Sequence, residues 1–338
     1  MKRLITIFYL LSIIGFTLPV SAQDKVGTSA APFIGIGIGP AATAMGGAYV
    51  SFARDAYSLY WNPGAISRVE HSVASFTHTG WILGSDYNWG GLILNVGDGN
   101  AFGVQFAYLD YGEENVTTIM APEGTGARWS ASDLFAALSF ARNFTDRFSV
   151  GGSAKIIREK IYNSSATGYA IDLGLLYITD FNGMRLGMSI QNFGTEMQMD
   201  GQDLWFPYDQ NPDINGNNFT ITGQLKTDSW PLPLFFRLGL SMDVINLAGN
   251  TITLATDAFV PSDNSTVVNV GAEYNFDQIF FLRGGYQSLG RAQTQEGLTA
   301  GLGLQYQIPG FARVTVDYSF LDFGILGDFH TFGFGFTY

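Results

Sequence analysis

Residues 302–338 read LGLQYQIPGFARVTVDYSFLDFGILGDFHTFGFGFTY. Within them Leu302, Leu304, Tyr306 and Ile308 alternate with Gly303, Gln305 and Gln307. Val314, Val316, Tyr318 and Phe320 alternate with Arg313, Thr315, Asp317 and Ser319, and Phe332, Phe334, Phe336 and Tyr338 with Gly333, Gly335 and Thr337. A period of two sends successive side chains to opposite faces of an extended chain, so each stretch is a strand with one apolar and one polar or small face. Residues 268–276 repeat the pattern, with Val268, Val270, Ala272, Tyr274 and Phe276 on one side.

Read outward from there, the chain predicts fourteen strands near 72–80, 86–96, 101–109, 133–142, 148–158, 168–179, 184–193, 232–245, 250–260, 265–276, 279–288, 297–308, 312–322 and 327–338. Segments of this length cross a bilayer at a tilt. A soluble sandwich would alternate too, so the connections decide. Those after even-numbered strands are very short: VGDGN, NFTDR, DFNG, NLAG, DQ and PGF. The others include about 23 residues at 110–132 and about 38 at 194–231. Short turns on one side and long loops on the other are the asymmetry of an outer-membrane barrel, and an even strand number lets the antiparallel sheet close without an edge. The expected fold is all-β: a transmembrane antiparallel β-barrel of about 14 strands. The terminal GFGFTY also resembles the assembly signal of bacterial outer-membrane barrels, although an ordinary last strand carries the same residues.

Composition agrees. Charged residues make up 14% and aromatics 15% of the 338 residues, whereas a soluble domain carries about 25% charged residues. Disorder is excluded by the aromatic content. Beyond the N-terminus no run of about 20 apolar residues exists, which excludes a helical membrane bundle. Residues 1–22 read as a secretory signal peptide, with Lys2 and Arg3, an apolar stretch from Leu4 to Leu18, and Val20-Ser21-Ala22 before cleavage. Its removal leaves 15 basic against 29 acidic residues, and so acidic a chain excludes nucleic acid as a partner. Export and barrel together predict the bacterial outer membrane, with lipid around the wall. Zero Cys closes disulfides and thiolate chemistry.

Residues 23–71 do not alternate and form an expected N-terminal hatch segment ahead of the barrel at 72–338. Pro40 suits a first helical turn, Gly46-Gly47 a helix end, and Asn62-Pro63 an N-cap followed by a first helical residue. GPAATAMGGAYVSFARDAYSLYWNPGAIS, residues 39–67, resembles the hatch of FadL-like outer-membrane proteins and more closely the PorV/PorQ branch. The resemblance rests on Met45, Gly46, Gly47, Asp55, Trp61, Asn62 and Pro63, with Gly64 where the family usually has Ala. It implies one of two roles. PorV-type barrels are non-enzymatic parts of type IX secretion that hold secreted cargo or bind translocon and sortase partners. FadL-type barrels take up long-chain fatty acids or other hydrophobic, lipid-like compounds.

The strand registers place Lys155, Asp172, Arg185, Arg237, Asp243, Asp257, Glu273, Arg283, Arg313 and Asp317 toward the lumen. So many inward charges are tolerable only if they pair or meet water, which argues against a continuous greasy conduit and favours the partner-binding role. Outer-loop aromatics supply the candidate docking residues: Trp129, Trp205, Phe206, Tyr208 and Trp230. They serve equally well as a cover folded into the barrel mouth. No enzyme constellation is present. His71 and His78 are seven apart and point to opposite faces of a strand, and the G-x-G-x-x-A match at Gly37 lacks a βαβ unit. No cofactor is expected. Asp209, Asn211, Asp213 and Asn215 space oxygens two apart before Gly216, a pattern shared by weak calcium loops and by solvated turns.

Overall fold

The computed structural model describes residues 26–338 apart from 212, 215–220, 248, 292–293 and 311. The expected signal peptide therefore lies outside the described residues. Fourteen antiparallel strands close on themselves. They are β1 (Val73–Gly80), β2 (Asp86–Gly97), β3 (Asn100–Asn115), β4 (Arg128–Asn143), β5 (Phe148–Ile161), β6 (Ser164–Ile178) and β7 (Arg185–Gly194), then β8 (Phe235–Leu247), β9 (Asn250–Pro261), β10 (Val267–Phe276), β11 (Phe280–Leu289), β12 (Leu298–Ile308), β13 (Ala312–Asp322) and β14 (Asp328–Thr337). Each pairs with its sequence neighbours, and β1 pairs with β14 from Val73↔Thr337 to Thr79↔Thr331, which removes the last sheet edge. No described helix is long and apolar enough to cross a membrane.

The register explains the two faces. Leu282, Leu302, Tyr318 and Phe332 lie side by side across four strands and point outward, while Arg283, Gly301, Ser319 and Thr331 form the neighbouring inward row. Turns after even-numbered strands are short, down to Asp98-Gly99 between β2 and β3, and this end is periplasmic. The outer connections differ from expectation in two places: β5 and β6 run on until only Tyr162-Asn163 joins them, where residues 159–167 were expected. β3 and β4 continue as a hairpin past the wall, so the loop expected at 110–132 shrinks to 116–127 and Trp129 belongs to β4. Alternation fails there because both faces of the extension meet water, with Arg128 and Glu113 paired at 3.0 Å.

Residues 26–71 thread the lumen from the outer mouth to the periplasmic rim. At the top the Ala30 amide donates to the Pro231 carbonyl (2.9 Å) and the Ala31 amide to Glu159 (3.1 Å). At the bottom Arg68 donates to the Thr145 and Asp146 carbonyls, each at 2.6 Å. The only regular elements of this segment are one- to two-turn pieces, including α1 (Pro40–Ala44), α2 (Ser58–Trp61) and a 3-10 turn at Pro63–Arg68. Helices so short are unstable alone. They persist because Phe33, Ile34, Met45, Phe52, Leu59 and Ile66 are buried against the wall, each side chain contributing about 1.5–3 kcal/mol.

Candidate functional site

The hatch is seated by wall side chains that satisfy its backbone. One Asp257 oxygen accepts from the Tyr49 and Val50 amides at 2.8 and 2.9 Å. Gln105 donates to the Leu59 carbonyl (2.8 Å) and Thr299 to the Ala44 carbonyl (2.9 Å), and Gln191 donates to the Tyr60 carbonyl. Asn62 reaches both ways: its amide donates to the Val50 carbonyl (2.8 Å) and to the Leu175 carbonyl of β6 (2.9 Å), while its oxygen caps the Gly64 amide (3.0 Å). Pro63 follows at the first position of the 3-10 turn. Trp61 donates its indole N–H to the Ile38 carbonyl at 2.8 Å. Asp55 accepts from the Tyr49 hydroxyl and from the Tyr57 amide.

Glycine makes this seating possible. Gly187, Gly239, Gly271, Gly285, Gly301 and Gly333, on six strands, face the hatch where a β-carbon would strike hatch atoms or the Asp257 carboxylate. Gly46 is required twice over. Its φ is +66°, and a β-carbon there would lie 2.7 Å from the Val270 carbonyl and 2.8 Å from the Tyr286 amide. Gly47 follows at φ +74°, and Met45 beside them is fully buried.

Seven of the ten inward charges join ion pairs. Lys155 meets Asp172 at 2.9 Å and Asn192 at 2.8 Å, at a β6–β7 bulge where the Asn192 amide donates back to Asp172 (2.7 Å). Arg185 meets Asp243 at 2.8 Å. Arg283 bridges Glu273 at 2.8 Å and Asp317 at 2.5 Å, and Glu273 also holds Arg54 of the hatch. Asp257 serves the hatch backbone, Arg237 bonds Gln191, and Arg313 lies at the periplasmic rim beside Gln307. Arg54 was not singled out from sequence, although it precedes Asp55 in the hatch motif. Gln105 and Gln191 gave no signal beyond being polar at inward positions.

Of the cavities beside the hatch, two lie on opposite sides of it with no lining residue in common, and a third, about 530 Å³, opens at its periplasmic end between residues 53–54 and 67–70 and β2, β4, β6 and β7. Of the first two, the outer one, about 270 Å³, is walled by hatch residues between 32 and 47, by Trp61, by Thr79 and Trp81, and by β8–β11, β13 and β14, and the periplasmic one, about 340 Å³, by residues 49–57 and 68–71 with the Arg54–Glu273–Arg283–Asp317 cluster.

The outer loop between β7 and β8 stands apart from this packing. Trp205–Tyr208 pairs with Ile221–Gln224 as a small hairpin, and Met197–Gln198 pairs with Ser229–Trp230 at its base. Trp205 is 53% exposed, Tyr208 48% and Trp230 47%, and Phe206 packs edge-on to Tyr208. They are turned to solvent rather than into the mouth. Trp129 is 38% exposed on its own hairpin. Asp203 anchors the loop to the β5–β6 turn, accepting from the Asn163 amide (2.9 Å) and side chain (3.0 Å), and these bonds hold its carboxyl below the usual range. Asp209 accepts from the Asn211 amide at 3.0 Å, an Asx turn, with Asp213 nearby in sequence and Asn215 outside the described residues. No group of three or more His, Asp or Glu among the described residues is placed to hold a metal.

A protein-family comparison matches residues 20–219 to the type IX secretion system protein PorV. The chain belongs to the PorV family. As such it is an outer-membrane protein of a bacterial secretion family. Solved outer-membrane channels and transporters share the fold of this PorV-family barrel. It is similar to the monoaromatic hydrocarbon channel CymD (14% identity over 89% of this chain and 97% of that one, TM-score 0.57). It is also similar to a Pseudomonas aeruginosa FadL homologue (13% identity, 94% and 99%, TM-score 0.53) and to the Ralstonia pickettii toluene transporter TbuX (16% identity, 89% and 97%, TM-score 0.53). At these identities the likeness is one of fold. None of the curated proteins matches the sequence.

Proposed function

We propose that this PorV-family barrel is a non-enzymatic accessory of type IX secretion that holds secreted cargo, or a translocon or sortase partner, on its outer loops. The observation that carries this reading is the β7–β8 hairpin. It turns Trp205, Phe206 and Tyr208 to solvent although the chain has a lumen in which aromatics elsewhere are buried. Rigid aromatic surface left exposed marks a protein-binding face, because it buries large area at small entropic cost.

The seated hatch supports the same reading. A role in uptake, which the printed names of the structural neighbours suggest, needs a route past a plug fixed by wall hydrogen bonds, glycine contacts and the Arg54–Glu273 pair. Purification of the barrel from outer membranes, with mass spectrometry of bound proteins and lipids, separates the roles. Large secretion proteins are expected with the intact chain and depleted at least tenfold when Trp205–Tyr208 is deleted. A lipid-like ligand without protein partners would sink the proposal.

A further inference from the structure

The outer cavity contains a charge that the rest of the lumen does not explain. Lys155 and Arg283, both buried, touch carboxylates. Arg237 is more buried still, at 3% exposure, yet among the described residues no carboxylate lies within 4 Å of it. One N–H donates to Gln191. Asp257, two residues along the facing strand from Phe259, makes no ion pair with it: one oxygen serves the Tyr49 and Val50 amides, and the other is buried without a hydrogen-bond partner. What surrounds the guanidinium is aromatic: the Phe259 ring centre lies 4.5 Å away, Trp61 5.0 Å and Phe235 5.3 Å.

Arg237 and these three rings line the 270 Å³ cavity, which Trp81, Phe323 and Phe329 continue toward the outer rim. The same wall carries a second cation, Arg291, which donates to Ser265, and two carboxyl groups, Asp263 and Glu296, each accepting from a serine hydroxyl (Ser29 and Ser288) and neither within 4 Å of an arginine. A planar cation with spare donors in an aromatic chamber selects a weakly hydrated monoanion with an apolar body. Inorganic phosphate, strongly hydrated and without apolar surface, fits the donors and not the walls.

We propose that the outer cavity binds one small aryl or alkyl carboxylate, its carboxylate on the Arg237 guanidinium and its apolar body against Phe259, Trp61 and the rim rings. At about 30 Å³ per water-sized molecule the space suits roughly ten non-hydrogen atoms. The site goes beyond the secretion role and does not depend on it, since it opens above the hatch and requires no passage through it.

The test uses the full mature barrel in lipid nanodiscs, titrated calorimetrically with phenylacetate and with phenylacetamide, its neutral counterpart of the same shape. Quenching of Trp61 and Trp81 fluorescence gives a second readout. Phenylacetate is expected to bind about tenfold more tightly or better, and Arg237→Met to reduce that preference below about twofold. Leu321→Trp, which fills the cavity and leaves Arg237 and its neighbours alone, is expected to weaken both compounds. Folding of each variant is checked by heat-modifiable electrophoretic mobility. Should Arg237→Met fail to fold, the Leu321→Trp result decides. The proposal is overturned if wild type binds neither compound or both equally, if Arg237→Met retains the preference, or if Leu321→Trp leaves phenylacetate binding unchanged.

Discussion

The hatch and the β7–β8 loop are both rich in aromatics, and they use them in opposite ways. Tyr49, Phe52, Tyr57, Tyr60 and Trp61 of the hatch are 4% exposed or less, with rings stacked on one another and polar tips bonded inward. Trp205, Phe206, Tyr208 and Trp230 of the loop are all at least 39% exposed. Identical side-chain chemistry is thus packed away in one place and left open to solvent in the other. The wall makes the difference: inward glycines and polar groups receive the hatch, and among the described residues nothing comparable covers these loop side chains.

If this contrast is right, substitutions that disturb the hatch seat cost stability and those in the loop cost binding. The largest effect is expected for Arg283→Met. It leaves Glu273 with Arg54 alone and strands Asp317 in the lumen, a loss of about 3–5 kcal/mol measured as a lowered unfolding midpoint in detergent. Gly187→Leu comes next. Its side chain meets the Val50 carbonyl and should cost about 3 kcal/mol, accompanied by a rise in ion conductance across planar bilayers relative to the wild type. An unchanged midpoint for Gly187→Leu would mean that the hatch is loosely held, and the contrast would fail.

Asn62→Ala removes a cap and two carbonyl contacts and is expected to cost about 2 kcal/mol on the same scale. Deleting Trp205–Tyr208 should move the midpoint by less than about 0.5 kcal/mol while partner recovery collapses. A large loss of stability on that deletion would show that the hairpin belongs to the core. The smallest effect concerns acid. Because hydrogen bonds depress the Asp203 carboxyl, its contact with Asn163 is complete above the ordinary carboxylate range and is lost only as pH falls through the lowered value. Amide exchange around residues 200–208 should therefore be flat from pH 7 to 5 and quicken, after correction for intrinsic rates, only below about pH 4. Calcium calorimetry on the Asp209–Asp213 turn sharpens the loop's side of the contrast, since binding there would give the outer surface a rigid point of its own.

Much of this was legible before any coordinates. Strand number, parity and the outward rows follow from alternation, and the caps at Pro40, Gly46-Gly47 and Asn62 announce themselves by residue type. The ends of β3 and β4 did not, because above the membrane both strand faces are wet and the period disappears. The ten inward charges were visible as a set, but their grouping was not: Glu273 and Arg283 are cross-strand neighbours, whereas Arg54 arrives from residues some 220 positions earlier.

The sequence by itself determined a closed fourteen-stranded cylinder with a lipid face, a lumen and a plug, because period-two alternation and loop lengths are local properties of the chain. Only the tertiary structure decided which glycines are seats for the hatch, which charges neutralise one another, and that Arg237 faces aromatic rings and a cavity instead of a carboxylate. Those outcomes depend on which strands and hatch turns come to lie at the same height in the barrel, and shear and threading, not local residue pattern, set that height.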